Sequence, residues 1–366
     1  MDQETLELPF LSNLGLMLTF KCTTACPHCV VEAGPHRKEE IPLERALDWI
    51  DQARQYRNGH ILGLALTGGE PFCILNKLTH VVEYASERGF FISVVTNAFW
   101  ARTKEQAFSI LSRLPDIKMV SISTDVYHLK TIPFQNVVNL VQACRALGRT
   151  FNLAVCTDDL ENPEYLKIVE SIRSLGEGDR LRPAITFPVG RAQNLVANFH
   201  YPLSPEAPVA ACTMASSPIA FPDGKVLACI GPIVSLPENH PLYLGNAQKE
   251  PLASILERAE VNPILHLIRV WGPYKLVSLL KERGLGDDLP REYISTCTCD
   301  ICYKLFSHPS LLAALNGMMQ EEEFQELAAY ARIFYLKETG MAERLHLDDE
   351  SKKQTTPRQV EAPVQS

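Results

Sequence analysis

Phe20-Lys-Cys22-Thr-Thr-Ala-Cys26-Pro-His-Cys29 sets three thiols close together, directly after the apolar run Leu14 to Thr19 that reads as a first strand. Thiolates this near in sequence converge on one soft metal centre. Three ligands for a four-iron cluster leave one iron open to chelate a substrate, which a closed four-cysteine structural site cannot do. Spacing alone also admits a zinc knuckle, or cysteines that hold no metal.

Outward from this loop, the chain to about Pro188 alternates short apolar runs with amphipathic stretches, the pattern of βα units around a parallel sheet. Strands are expected at Leu14 to Thr19, Ile61 to Leu66, Phe91 to Thr96, Met119 to Ser123, Thr150 to Val155 and Ala184 to Phe187. Helix punctuation lies between them: Pro42 opens one helix, Gly89 and Gly148 each follow one, and Asn162-Pro163 reads as an N-cap and first helical residue. The expected fold class is α/β, a partial (β/α)6 TIM-like barrel followed by a small module with a β-hairpin and C-terminal helices. Loops at the C-terminal strand ends converge on one face of such a fold, where its chemistry is placed.

The four expected segments are 1–195, the partial barrel; 196–308, the smaller module; 309–345, C-terminal helices; and 346–366, a disordered tail without apolar periodicity from Asp348. In the smaller module Ile219 to Phe221 and Lys225 to Ala228 flank Pro222-Asp223-Gly224, a hairpin signal. Glu321 to Lys337 is expected to be a helix with Phe324, Leu327, Ala328, Ala331 and Tyr335 on one face.

The 366 residues are 46% hydrophobic and 21% charged, enough to bury a large core. A net charge of -8 without a Lys/Arg-rich block gives no support for nucleic-acid or anionic-lipid binding. No apolar run is long enough to cross a bilayer and the N-terminus lacks a basic n-region, so the chain reads as a soluble cytoplasmic protein. In a reducing compartment its 11 cysteines are expected as thiols or metal ligands, not disulfides.

The CxxxCxxC loop after the first strand, followed by Thr67-Gly68-Gly69-Glu70-Pro71 after the second, resembles the radical S-adenosylmethionine (radical SAM) superfamily. The resemblance implies that Cys22, Cys26 and Cys29 hold a 4Fe-4S cluster whose open iron binds S-adenosylmethionine. It further implies reductive cleavage to a 5′-deoxyadenosyl radical, which abstracts a substrate hydrogen, with an external donor such as flavodoxin or ferredoxin. On this reading Gly68 and Gly69 allow close backbone approach, Glu70 fixes the methionine ammonium and Pro71 holds the turn. His28 takes the position where relatives stack an aromatic ring near the adenine; a histidine that simply covers the loop is the other reading.

Thr96, Asn97, Ser123 and Asp125 end the third and fourth strands, where similar enzymes set polar groups against the ribose and carboxylate; N-caps or Asx-turns are the alternative. The family's TNG is Thr96-Asn97-Ala98 here, a departure that bears on the turn. Tyr127 and His128 are candidate proton-moving residues at the same rim, or packed side chains. Arg191, in Phe187-Pro-Val-Gly190-Arg191, is a candidate for the cofactor carboxylate or for a salt bridge. Cys73, Cys144 and Cys156 read as core filler, Cys156 least securely because it ends a strand.

A second group comprises Cys212 and Cys229, at the two ends of the hairpin, and Cys297-Thr-Cys299-Asp-Ile-Cys302. A hairpin pair with a distant CxxC completes a four-thiolate site for zinc or iron–sulfur. The arrangement resembles the family's SPASM and twitch auxiliary domains, and implies an auxiliary 4Fe-4S cluster on Cys212, Cys229, Cys299 and Cys302. Cys297 is then an alternate ligand, a thiol near substrate, or inert. Relatives of this kind imply peptide modification by crosslinking, epimerisation or oxidation, with a leader-peptide-binding partner chain as a possible supplier of recognition. Dehydrogenation or rearrangement of a small metabolite is the second reading, and a non-enzymatic metal-binding or redox protein the third.

Overall fold

The computed structural model describes residues 10–336. Its first half runs β1 (Asn13–Met17), α1 (Leu43–Gln55), β2 (Gly63–Thr67), α2 (Leu75–Glu87), β3 (Phe91–Thr96), α3 (Lys104–Ser112), β4 (Ile117–Ser123), α4 (Phe134–Ala146), β5 (Thr150–Thr157), α5 (Pro163–Ser174) and β6 (Leu181–Ile185). These six strands pair in parallel in chain order. Alternate residues set the two faces of the sheet. Leu64 and Leu66, Ile92 and Val94, Val120 and Ile122, and Leu153 and Val155 are buried in the core. The intervening positions include the small or polar, half-buried Ser93, Ser121, Asn152 and Ala154.

The helix punctuation has its expected physical form at Asn162, whose Oδ1 accepts from the backbone N–H groups of Glu164 and Tyr165, with Pro163 as the first helical residue. The sixth strand lies nearer the N-terminus than its sequence signal, at Leu181–Ile185 in place of Ala184 to Phe187. It is an edge strand, largely exposed, and an edge tolerates Arg182 and Pro183, which mask it in the sequence.

The second half contains β7 (Leu203–Ser204), β8 (Ile219–Ala220), β9 (Lys225–Leu227), β10 (Tyr243–Asn246), α6 (Leu252–Glu260), α7 (Pro263–Trp271), α8 (Tyr274–Glu282), β11 (Tyr293–Ile294), α9 (Thr298–Ser307), α10 (Pro309–Met318) and α11 (Glu322–Leu336). Strands β8 and β9 form the expected hairpin. β8 also pairs in parallel with β1, Gly15 opposite Ile219, so the hairpin extends the main sheet to nine strands in the order β10-β9-β8-β1-β2-β3-β4-β5-β6. β7 and β11 form a separate antiparallel pair.

Helix α11 buries Phe324, Ala328 and Ala331, while Leu327 is half-buried and Tyr335 is 59% exposed, so its packed face is narrower than the sequence pattern suggests. The expected tail lies outside the described residues. Where α11 meets the body, the buried Glu260 carboxylate accepts from the backbone N–H groups of Phe10 and Leu11, from Tyr56 Oη at 3.0 Å and from Arg332 Nη2 at 3.0 Å. Four chain segments therefore share one anion. Neutralising a buried ion-pair partner leaves the other charge uncompensated. Glu260→Gln should lower unfolding free energy by about 3 kcal/mol in urea denaturation; a loss of under about 0.5 kcal/mol, the range of an ordinary surface substitution, would show that the hub does not hold these segments.

Candidate functional site

Inward positions at the C-terminal strand ends, Met17, Val95, Ser123 and Cys156, line a cavity of about 300 Å³ together with Cys22, Cys26, Cys29, His28, Thr96, Asn97, His128 and Arg191. Gly68 and Gly69 also border it. A larger open groove of about 770 Å³ lies between α8 and α11 and is lined by no cysteine. The chemistry-bearing side chains gather in the smaller space.

The cysteine loop is held there by its neighbours. Gly69 N–H donates to Thr19 O at 2.6 Å and Glu70 N–H to Lys21 O at 2.9 Å. A Cβ at Gly68 would lie 2.7 Å from Thr19 O, and one at Gly69 would collide with Lys21 O, so the two glycines let this backbone pair lie flush with the cysteine loop. Their close approach is to the chain itself. On the other side Gly190, at φ 58°, brings Arg191 N–H to Cys29 O at 3.2 Å. Arg191 Nε donates to Cys26 O at 3.0 Å and Nη2 to Ala33 O, so its guanidinium clamps carbonyls of the loop while bordering the cavity.

Glu70 is fully buried. Its carboxylate accepts from Phe72 N–H at 3.1 Å, Thr96 Oγ1 at 2.9 Å and Asn97 N–H at 2.7 Å, tying the loop after β2 to the loop after β3. Burial raises its pKa to about 7 against these opposing hydrogen bonds. Pro71 opens the 3-10 helix Pro71–Ile74 and is buried. Neither side chain borders the cavity. Asn97, so fixed, donates from Nδ2 to Cys22 Sγ at 3.6 Å. Ala98 takes the left-handed φ of 62°, a conformation that glycine adopts freely and that costs other residues about 1–2 kcal/mol. Asn136 Nδ2 holds its carbonyl at 3.2 Å.

Thr24 Oγ1 lies 3.4 Å from Cys22 Sγ and 3.2 Å from Cys26 Sγ, and Ala33 N–H donates to Cys29 Sγ at 3.3 Å. Burial pushes the Cys22 thiol up and that of Cys26 to about 11, so their thiolates need a bound cation for compensation.

Asp125 is buried below the rim. Its Oδ1 accepts from the backbone N–H groups of Tyr127 and His128, and its Oδ2 lies 2.8 Å from His128 Nδ1 and 3.6 Å from His28 Nε2. Burial raises the Asp125 carboxyl, but its interactions with His128, the His128 N–H and His28 outweigh this and hold it below its ordinary range. Burial lowers His28 to about 4, leaving it neutral, and its ring stacks on Tyr127 at 4.4 Å. Tyr127 itself does not border the cavity.

Cys156 does border it, and a hydrogen bond with Asp125 helps burial to raise its thiol. It is therefore more than core filler; its place at the last inward position of β5 was the available signal. Cys144 is fully buried, and Cys73 is half-buried in the 3-10 helix. Ile230, which follows Cys229, reaches the cavity from the second half and carried no sequence signal.

Cys212, Cys229, Cys299 and Cys302 border one small apolar cavity with Ile233, Leu242 and Ile268. Cys299 and Cys302 stand one turn apart at the start of α9, whose amide dipoles favour thiolates. Burial raises Cys229 to about 12 and Cys302 well above its ordinary value. Cys297 precedes the helix and does not border this cavity; it packs with Phe187, Val189 and Ile294.

Residues 16–172 match the family model described as the Radical SAM superfamily. That stretch of the chain is similar to the radical SAM superfamily. Among solved structures, native anSMEcpe with bound AdoMet and Kp18Cys peptide is similar at TM-score 0.50 and 13% identity, covering 84% of this chain and 99% of that one. BtrN in complex with AdoMet and 2-DOIA is similar at TM-score 0.43 and 12% identity, covering 72% and 89%. A search of curated proteins found no match.

A radical SAM domain implies a 4Fe-4S cluster and S-adenosylmethionine, and the donor set can be tested against that. A tetrahedral zinc with Zn–S bonds of about 2.3 Å needs sulfurs roughly 3.8 Å apart. Among the described residues neither cysteine group has three ligand atoms mutually within 4.8 Å. Three cavity-facing thiols that are not all within that distance of one another suit the corners of a cluster better than a single ion. If Gly190 is what lets the loop close, Gly190→Ala, whose Cβ would lie 2.5 Å from Val30 O, should displace it. Anaerobically reconstituted variant should then hold clearly less iron per chain than wild type; equal iron would show that the clamp is dispensable.

Proposed function

We propose that this chain is a radical SAM enzyme that modifies a peptide, with Cys22, Cys26 and Cys29 as cluster ligands. The observation that carries the reading is the placement of all three thiols, Thr96, Asn97 and Ser123 on one cavity at the C-terminal end of the parallel sheet. The cluster, when bound and reduced, supplies the electron that cleaves S-adenosylmethionine to the 5′-deoxyadenosyl radical that takes a substrate hydrogen.

The chain's own residues position and enclose. Asn97 donates toward Cys22 Sγ, and the Thr24 hydroxyl lies between Cys22 and Cys26, with one proton to give to either thiolate. Thr96, Asn97 and Ser123 offer polar groups for the cofactor's ribose and carboxylate, while Glu70 acts by holding Thr96 and Asn97 in place. Neutral His28 offers a ring face for the adenine. Val30, Val31, Val95 and Ile230 make the cavity wall apolar, which keeps water from a reactive radical.

The cavity stands at the lower end of the roughly 300–1,000 Å³ found for small-molecule sites. Once it holds S-adenosylmethionine, little closed volume remains, and substrate is presented at the mouth, as a peptide segment can be. Cys212, Cys229, Cys299 and Cys302 are proposed to hold an auxiliary 4Fe-4S cluster, and the four thiols on one cavity support that assignment. Val30, which borders the first cavity, and Cys299, which borders the second, both pack against the apolar cluster of Phe187, Val189 and Ile294.

Anaerobically reconstituted protein should be brown, hold about eight irons per chain and release 5′-deoxyadenosine from S-adenosylmethionine with a reductant. Replacing Cys22, Cys26 and Cys29 with Ala should abolish release, whereas replacing Cys212, Cys229, Cys299 and Cys302 should halve the iron and spare part of it. Zinc in place of iron, or no cleavage by iron-replete protein, would refute the enzyme reading. Coexpression with a candidate peptide followed by mass spectrometry tests the substrate class; cleavage coupled only to a small metabolite would refute the peptide.

A further inference from the structure

We propose that His28, Asp125 and His128 form a binding site for one divalent transition-metal ion, separate from both cysteine groups. Among the described residues this is the one set of three His, Cys, Asp or Glu side chains whose ligand atoms all lie within 4.8 Å of one another. Two imidazoles and a carboxylate suit zinc or ferrous iron, ions of intermediate softness. Asp125 Oδ2 stands 2.8 Å from His128 Nδ1 and 3.6 Å from His28 Nε2. An ion with bonds of about 2.1 Å needs ligand atoms roughly 3.0–3.4 Å apart, so adjustments of a few tenths of an ångström suffice for these two pairs.

The carboxylate is also oriented as an outer shell would orient it. Tyr127 and His128 N–H groups both donate to Asp125 Oδ1, while Oδ2 faces the two imidazoles and the Cys156 thiol lies beside the carboxylate. In the structure Oδ2 and His128 Nδ1 share a hydrogen bond; the ion replaces that proton. Both imidazoles border the cavity, so further coordination positions face into it. An ion there takes an oxygen or nitrogen lone pair of the molecule bound in the cavity, and so acts as a Lewis acid and an orienting point. The assignment uses none of the cysteines and stands independently of the cluster reading.

The test uses protein with its iron reconstituted, so that cysteines are occupied, dialysed against zinc, with zinc and iron counted on the same samples. One zinc per chain is expected, and zinc-edge X-ray absorption should show only nitrogen and oxygen at about 2.0–2.2 Å, with no sulfur near 2.3 Å. Asp125→Asn keeps an Oδ1 acceptor for the two backbone N–H groups but removes the ligand, and should weaken zinc binding by about tenfold or more at unchanged iron content. His128→Gln should do the same, which covers the case in which Asp125→Asn does not fold, and Tyr127→Phe should bind zinc as wild type does. No zinc, a sulfur shell, or zinc retained at full affinity by either ligand variant would overturn the proposal. The sulfur-to-iron charge-transfer absorbance reports the clusters separately from any ion on these three residues, so its loss marks failure of that reading and not of this one.

Discussion

The buried Glu70 carboxylate is the constraint on which the candidate site depends. By accepting from Phe72, Thr96 and Asn97 it fixes the ends of β2 and β3 against each other, and through Asn97 it reaches Cys22. The adjacent Gly68-Gly69 backbone lies flush with Thr19 to Lys21, at the start of the cysteine loop. A fully buried carboxylate with three donors resists rearrangement, because each lost hydrogen bond leaves a charge or a donor without a partner. Gly190 and Arg191 close the loop from the opposite side. These hydrogen bonds hold the loop from both sides, beside the apolar packing of Phe20 and Val31 on the core.

Much of this was legible in the sequence. The strand Phe91–Thr96 has the bounds its β-branched run predicts, and the Asn162-Pro163 cap forms as its chemistry requires. What was hidden lay where tertiary context overrides local pattern: the polar edge strand β6, the pairing of β8 with β1, and exposed Tyr335. Sequence also names polar residues near a site without saying which way they point. Glu70 and Arg191 illustrate this, since one turns away from the cavity and the other clamps the loop. Cys156 illustrates the converse, a thiol read as filler, least securely because it ends a strand, that the period of two along β5 brings to the wall.

The two cysteine groups lie in parts of one continuous architecture. The hairpin that leads from Cys212 to Cys229 adds two strands beside β1, and Ile230, just beyond it, lines the cavity of the first group. Phe187, Val189 and Ile294, with Val30 and Cys297 packed against them, form a small apolar cluster of their own. The proposed radical chemistry at the first site would thus meet apolar residues supplied by both halves of the chain.

The central claim is that Cys22, Cys26 and Cys29 hold a cluster with one iron free of protein ligands. Mössbauer spectroscopy of protein reconstituted with iron-57, in a variant lacking the four second-group cysteines, reads it most directly. Adding S-adenosylmethionine should shift the spectrum of one iron in four and leave the other three unchanged. A spectrum that S-adenosylmethionine does not alter would contradict the account.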